Sequence, residues 1–187
     1  MTYKAVGFDY GGVITGEPST AISKAIAELL GVPEETYKAA YYRHNVGVNQ
    51  GAMTWEELWA AVLADLQLPN KWDELRTYLR QSEFGTPHKH ILQLMTNLRD
   101  NGLKLGLLSN NTPEAAKEMR AKGLEAYFDV FDISAETGFV KPQPEAFLHF
   151  IEQLQVAPQE LVFIDDSKKS LSTADEVGYL PILYESY

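Results

Sequence analysis

The chain has no cysteine among its 187 residues. That excludes disulfides, a thiolate nucleophile and any cysteine-ligated zinc, and it suits a reducing, cytoplasmic setting. It is also short of positive charge: 16 Lys and Arg stand against 26 Asp and Glu, a formal net charge of −10. A surface so acidic argues against binding along nucleic acid or to an anionic membrane. A small anionic substrate is still open to it, because a cation and one or two lysines can set the local field. Long apolar runs are missing too. None approaches the ~20 residues that cross a bilayer, and residues 1–15 do not read as a signal peptide, since Gly7 and Asp9 interrupt their apolar run.

What remains is an ordinary globular composition, 45% hydrophobic and 22% charged, long enough for one large domain with an insert. Residues 3–12 begin with an apolar run (Ala5, Val6, Phe8) that ends at Asp9, followed at once by Gly11 and Gly12. This is the pattern of a buried parallel strand delivering a carboxylate to the sheet edge where ligands bind in open α/β folds. Taken alone it reads first as a strand and a turn capped by Asp9.

Residues 19–82 then carry only helical periodicity. Ile22, Ala25, Ile26 and Leu29 share a face. Pro33 opens a second helix that is expected to end at Arg43-His44-Asn45, before a loop over residues 46–51. Thr54 and Glu57 form a capping box ahead of Trp55, Leu58, Trp59 and Val62, and a fourth helix carries Trp72, Leu75 and Tyr78. The three tryptophans are expected to pack inside this block.

From Thr86 helices and strands alternate. Expected strands cover 103–108, 128–133, 161–164 and 180–184, with helices opening at Thr86-Pro87, Thr112-Pro113 and Pro144 and a last one around 170–177. Alternation of this kind predicts parallel βαβ units, with the first strand joining the same sheet. The fold class is therefore α/β, with an all-α block of four helices inserted after the first strand. The chemistry-bearing residues Asp9, Ser109-Asn110, Lys141 and Asp165-Asp166 all fall after strands. In a parallel sheet they meet on one edge. Each cluster has a plain structural reading as well, a helix N-cap or a loop lysine. Together they suit phosphoryl transfer: a carboxylate nucleophile, hard oxygen ligands for Mg²⁺, a hydroxyl for phosphoryl oxygens and a lysine to neutralise charge.

The segments Phe8-Asp9-Tyr10-Gly11-Gly12-Val13, Leu108-Ser109-Asn110, Lys141-Pro142 with Pro144-Glu145-Ala146-Phe147, and Phe163-Ile164-Asp165-Asp166 resemble, in order and spacing, the motifs of the haloacid dehalogenase superfamily. The likeness is to its phosphatase-like group, which includes a bacterial glucose-1-phosphate phosphatase and the amino-terminal domain of soluble epoxide hydrolases. It implies a Rossmann-like three-layer core over residues 1–15 and 86–187 and a helical cap over 16–85. By the same resemblance Asp9 is the nucleophile, Ser109 and Lys141 are catalytic, and Asp9, Gly11, Asp165 and Asp166 hold Mg²⁺. Gly11, Gly12, Ser109, Asn110, Lys141 and His44 make up the expected phosphate and substrate site. The substrate class is a small phosphorylated metabolite; oligomeric state is not readable.

Two positions depart from the pattern. Gly11 stands where these phosphatases usually carry an acid/base aspartate, although some of the group resemble this chain in lacking it. Ser170 stands where an asparagine is usual. Acyl and aryl phosphates, whose leaving groups depart readily, would suffer least from the missing acid, which is worth about 10²–10⁴ in rate. His44 is the candidate substitute; it also reads as an exposed helix-end histidine. Two alternatives follow from Gly11: a metal-independent 2-haloacid dehalogenase, with Arg43 as its anion-holding arginine, or a catalytically weak phosphate-ester-binding protein.

Overall fold

Strand β1 (Ala5–Phe8) is buried along its whole length because it has a neighbour on each side and a helical layer on each face. In the computed structural model, which describes residues 2–16, 19–49, 52–81 and 86–185, β1 pairs in parallel with β2 (Lys104–Ser109) and with β4 (Leu161–Asp165). Beyond them lie β3 (Val130–Ile133) against β2 and β5 (Leu180–Leu183) against β4, again parallel. The order β3-β2-β1-β4-β5 reverses direction between β1 and β4. That reversal is the switch point at which open α/β sheets bind ligands.

Alternation along the strands decides what faces where. Val6 and Phe8 of β1 join Leu105 and Leu107 of β2 in packing against Ile91 and Met95 of α5 (Lys89–Asp100) and Ala116 and Met119 of α6 (Pro113–Ala121). Ala5, Leu108, Leu161 and Phe163 face the other way, toward Phe147, Phe150, Ile151 and Leu154 of α8 (Pro144–Leu154) and Ala174 and Val177 of the single-turn α9 (Ala174–Val177). A further single turn, α7 (Ser134–Thr137), follows β3. Helix α8 lies close against the sheet: a Cβ on Gly106 would fall 2.4 Å from the Phe150 ring. A side chain there would lift the helix away.

Between β1 and α5 come four helices, α1 (Ser19–Leu30), α2 (Glu34–Asn49), α3 (Trp55–Asp65) and α4 (Trp72–Gln81). They bury a core of their own around Trp59, Leu58, Val62, Leu63, Leu75, Ile26 and Tyr37. The Thr54–Glu57 capping box is present in full. The two chain segments joining this block to the sheet hold each other. Thr15 and Pro87 form a bridge, and the His88 N–H donates to the Ile14 carbonyl at 2.8 Å.

Several sequence expectations shift. Helix α2 does not stop at Asn45 but runs to Asn49, because Val48 is buried in the insert's core and rewards the extra turn. Gln50 and Gly51 of the expected loop, and residues 82–85 at the expected domain boundary, lie outside the described residues. Helix α5 starts at Lys89 rather than at Thr86-Pro87, since residues 87 and 88 are taken up by pairing with residues 14 and 15. Strand β3 begins at Val130 because Leu124–Tyr127 coil into a 3₁₀ turn. Trp55, expected to be packed, is 39% exposed and leans edge-on against Trp59. Leu94, expected on the inner face of α5, is likewise 39% exposed.

Candidate active site

The same alternation that packs α8 places the acidic residues. Along β1, Ala5 and Gly7 face α8, so Asp9 does as well. Along β4, Leu161 and Phe163 face α8, so Asp165 does too. The register pairs Phe8 with Ile164, and the Asp9 N–H donates to the Ile164 carbonyl at 2.9 Å. Asp9 and Asp165 therefore stand side by side across the switch point. Asp166 completes a group of three carboxylates, each offering an oxygen within 4.8 Å of the others.

Lys141 enters this group from the turn between α7 and α8. Its Nζ lies 2.8 Å from Asp9 Oδ1 and 2.6 Å from Asp165 Oδ2, and its side chain is only 2% exposed. The other Asp165 oxygen accepts the Ser167 N–H at 2.8 Å. Phe163 supplies an aromatic face 5.2 Å below the ammonium. Burial pushes the Asp9 carboxyl up to about 7; Lys141 opposes the shift, while Asp165 and Asp166 add to it. For Lys141, burial alone would lower the ammonium, but Asp9 and Asp165 together outweigh it and hold the lysine above its ordinary value. The lysine stays charged, and Asp9 sits where a small change of field decides its charge.

Gly12 is fixed by the same carboxylates. Its φ is +79°, and a Cβ there would lie 2.4 Å from Asp166 Oδ2. Gly11 differs: its φ is not positive, and an added Cβ would meet no atom within 4 Å. The position expected to carry an acid is vacant by residue choice, since there is room for a side chain.

Ser109, at the carboxyl end of β2, is buried at 2% exposure, and the chain then turns into α6 through Thr112, whose Oγ accepts the Ala115 N–H. Asn110 is expected to touch phosphate, but its side chain is committed elsewhere. Its Nδ2 donates to the Lys141 carbonyl at 2.8 Å, and its Oδ1 accepts the Lys141 N–H at 2.9 Å. The amide matches the Lys141 backbone as a second peptide would. His44 has a partner within the insert. Its Nε2 pairs with Asp65 Oδ2 at 2.8 Å, and Arg43 Nη1 pairs with the same oxygen. The Asp65 carboxyl is held low by His44 first and then by Arg43. Helix α3 lies against α2, so Asp65 meets both residues within the insert. Sequence reading also passed over Asp132, a carboxylate inside the apolar strand Val130–Ile133 that is 2% exposed; its place in an otherwise apolar run was the available signal.

Carboxylates and a buried lysine thus gather at the switch point of a parallel sheet, the edge at which open α/β folds bind ligands. Residues 3–178 match the model of the haloacid dehalogenase-like hydrolases, and the chain belongs to that family. It is 25% identical over 185 residues to a phosphorylated carbohydrates phosphatase of Thermotoga maritima, covering 94% of this chain and 82% of that protein. It is 31% identical over 105 residues to a phosphoglycolate phosphatase of Shigella boydii, 55% of this chain but only 42% of that protein. The chain thus matches less than half the length of that second relative. In fold it is similar, with a TM-score of 0.63 and 23% identity, to a family enzyme of Bacteroides thetaiotaomicron crystallised with magnesium and inorganic phosphate, with 97% of this chain and 93% of that one covered. Among the described residues no helix is long and apolar enough to cross a membrane.

Proposed function

We propose that the chain is a Mg²⁺-dependent phosphatase for a small phosphorylated metabolite, working through phosphorylation of Asp9. The observation that carries this reading is the arrangement of Asp9, Asp165, Asp166 and Lys141. Three hard oxygen donors converge beside the Lys141 ammonium, which suits a divalent ion bound through oxygen. In this reading residues 1–15 and 86–187 are the catalytic core and residues 16–85 a cap that meets the substrate. The relatives that act on phosphoglycolate and on phosphorylated carbohydrates support a phosphate monoester as substrate, and the absence of cysteine suits a cytoplasmic setting.

Asp9, Asp166, Asp165 and the Gly11 carbonyl would hold the Mg²⁺, which when bound offsets the charge of the phosphoryl oxygens against the carboxylates. In the first step an Asp9 oxygen attacks phosphorus, and the bond from phosphorus to the leaving oxygen breaks with its electron pair on that oxygen. Ser109 and nearby N–H groups hold the phosphoryl oxygens, and Lys141 balances the charge that spreads over them. In the second step water attacks phosphorus, phosphate departs and the Asp9 carboxylate is restored. Gly11 supplies no proton to the leaving oxygen. The site therefore favours acyl and aryl phosphates over alkyl esters.

The test is release of phosphate from p-nitrophenyl phosphate and acetyl phosphate with and without Mg²⁺, beside the Asp9→Asn variant. The expected result is turnover that needs both Mg²⁺ and Asp9. Turnover that ignores both would sink the reading. Halide release from 2-chloropropionate would replace it with dehalogenation, and saturable phosphate-ester binding without turnover would replace it with a binding role.

A further inference from the structure

Lys141 reaches the carboxylates from a short strap, residues 138–143, between α7 and α8. Asn110 grips the strap at the lysine itself. Below it lies a second set of contacts that no step of the proposed reaction uses. Thr137 Oγ donates to Asp132 Oδ1 at 3.0 Å and accepts the Phe139 N–H at 3.3 Å. The Phe139 ring stacks on His149 of α8, with centroids 4.6 Å apart and planes 27° from parallel. His149 Nε2 in turn lies 3.7 Å from Asp132 Oδ2, and that oxygen accepts no hydrogen bond. The four residues close a ring: Asp132 to Thr137, to Phe139, to His149, and back to Asp132.

A buried carboxylate is a costly way to brace a turn. Asp132 is 2% exposed, and burial pushes its carboxyl above the usual range, against the opposing pull of Thr137 and His149. Val130, on the same face of β3, packs against the apolar core, and an apolar residue at position 132 would suit that layer better. What Asp132 adds is direction. It faces His149 on α8 and Thr137 beside it, and the other nearby carboxylate, Glu136, is held in a two-point pair with Arg120. The strap is thereby tied to β3 and α8 at a fixed height, two residues before Lys141.

We propose that Thr137, Asp132 and His149 are positioning residues that set the depth of the Lys141 ammonium between Asp9 and Asp165. The consequence for turnover rests on the phosphatase reading; the seating of Lys141 does not. Two variants test it. Thr137→Val removes the hydroxyl with its contacts to Asp132 and Phe139 and the longer one to the Ile133 carbonyl, at nearly constant shape, and Thr137→Ser restores the hydroxyl. His149→Phe keeps a ring against Phe139 but removes the nitrogen facing Asp132.

The first readout is acylation of lysine amines by acetic anhydride in the folded protein, followed peptide by peptide by mass spectrometry, with exposed Lys24 as the reference. Lys141 in the wild-type chain and in Thr137→Ser is expected to be strongly protected. In Thr137→Val its acylation rises roughly fivefold, the scale of one or two lost hydrogen bonds, and in His149→Phe by a smaller factor, with Lys24 unchanged. The second readout is turnover of p-nitrophenyl phosphate. Thr137→Val should lower kcat in the wild-type background and change nothing further once Lys141 is alanine, because it acts only through that lysine. Equal Lys141 protection in folded Thr137→Val, His149→Phe and wild type would overturn the proposal. So would additive losses with Lys141→Ala. A wild-type protein that hydrolyses no ester, yet shows the acylation pattern above, would overturn the phosphatase reading and uphold this one.

Discussion

Gly11 and Gly12 are neighbours, yet one methyl group should have opposite effects at the two positions. At Gly12 the φ of +79° lies in the left-handed region, where a side chain costs about 1–2 kcal/mol. The same Cβ would lie 2.4 Å from Asp166 Oδ2 and 2.6 Å from its Cγ, so Asp166 must move as well. At Gly11 there is no positive φ and no atom within 4 Å of the new Cβ. Alanine there only narrows the unfolded ensemble, a gain of about 0.4–1 kcal/mol where the native backbone tolerates it. Because 1 kcal/mol shifts the melting temperature of a chain this size by about 2–4 °C, Gly12→Ala should melt roughly 2–8 °C lower, and Gly11→Ala at or slightly above wild type. Calorimetric titration with Mg²⁺ reports the displaced Asp166 separately. Gly12→Ala should bind the ion roughly tenfold or more weakly, the scale on which disturbed ligand support acts. Gly11→Ala should keep its affinity. Equal melting and equal Mg²⁺ binding of the two variants would refute the reasoning.

Three further outcomes are expected. Asn110→Ala leaves the Lys141 N–H without its acceptor, at about 1–3 kcal/mol, and denaturant unfolding should show that loss together with a lower kcat on p-nitrophenyl phosphate. Gly11→Asp, which the open space at that position admits, should raise the rate on alkyl phosphates by on the order of 10² while changing aryl phosphates little, read as a flatter dependence of rate on leaving-group pKa. Without Mg²⁺, Asp9 keeps its proton in the folded state up to a pKa of about 7, whereas unfolded it titrates near 4. The unfolded chain then binds fewer protons between these values, so stability should fall as pH rises from about 4 to 7, by at most ~4 kcal/mol. Chemical denaturation across that range should show the slope, and Asp9→Asn should remove most of it.

The sheet and the insert were legible because their signals are local. Apolar runs ending in polar residues gave the strands, and Thr54–Glu57 and Pro144 marked helix starts that the structure keeps. The meeting of Asp9, Asp165 and Lys141 was legible too, since parallel strands bring their carboxyl ends to one edge whatever lies between them. What the sequence did not carry was the pairing of side chains across elements. His44 offers the right chemistry, but Asp65, 21 residues away, claims it. Asn110 sits beside the proposed phosphate-binding serine, yet its amide closes on a backbone 31 residues distant. Asp132 reads as an interruption in a strand until Thr137 and His149 are seen around it. Helix ends moved for the same reason. Buried Val48 extends α2, and the pairing of residues 14 and 15 with 87 and 88 delays α5.

The most direct test of the central claim is to trap the intermediate. The protein is mixed with acetyl phosphate and Mg²⁺, quenched within milliseconds and reduced with borohydride, which converts an aspartyl phosphate to homoserine, and the peptide containing residues 5–24 is sequenced by mass spectrometry. The expected result is homoserine at position 9, lost when Mg²⁺ is withheld and in Asp9→Asn. Turnover of acetyl phosphate with no modification at Asp9, and with a rate that survives Asp9→Asn, would contradict it.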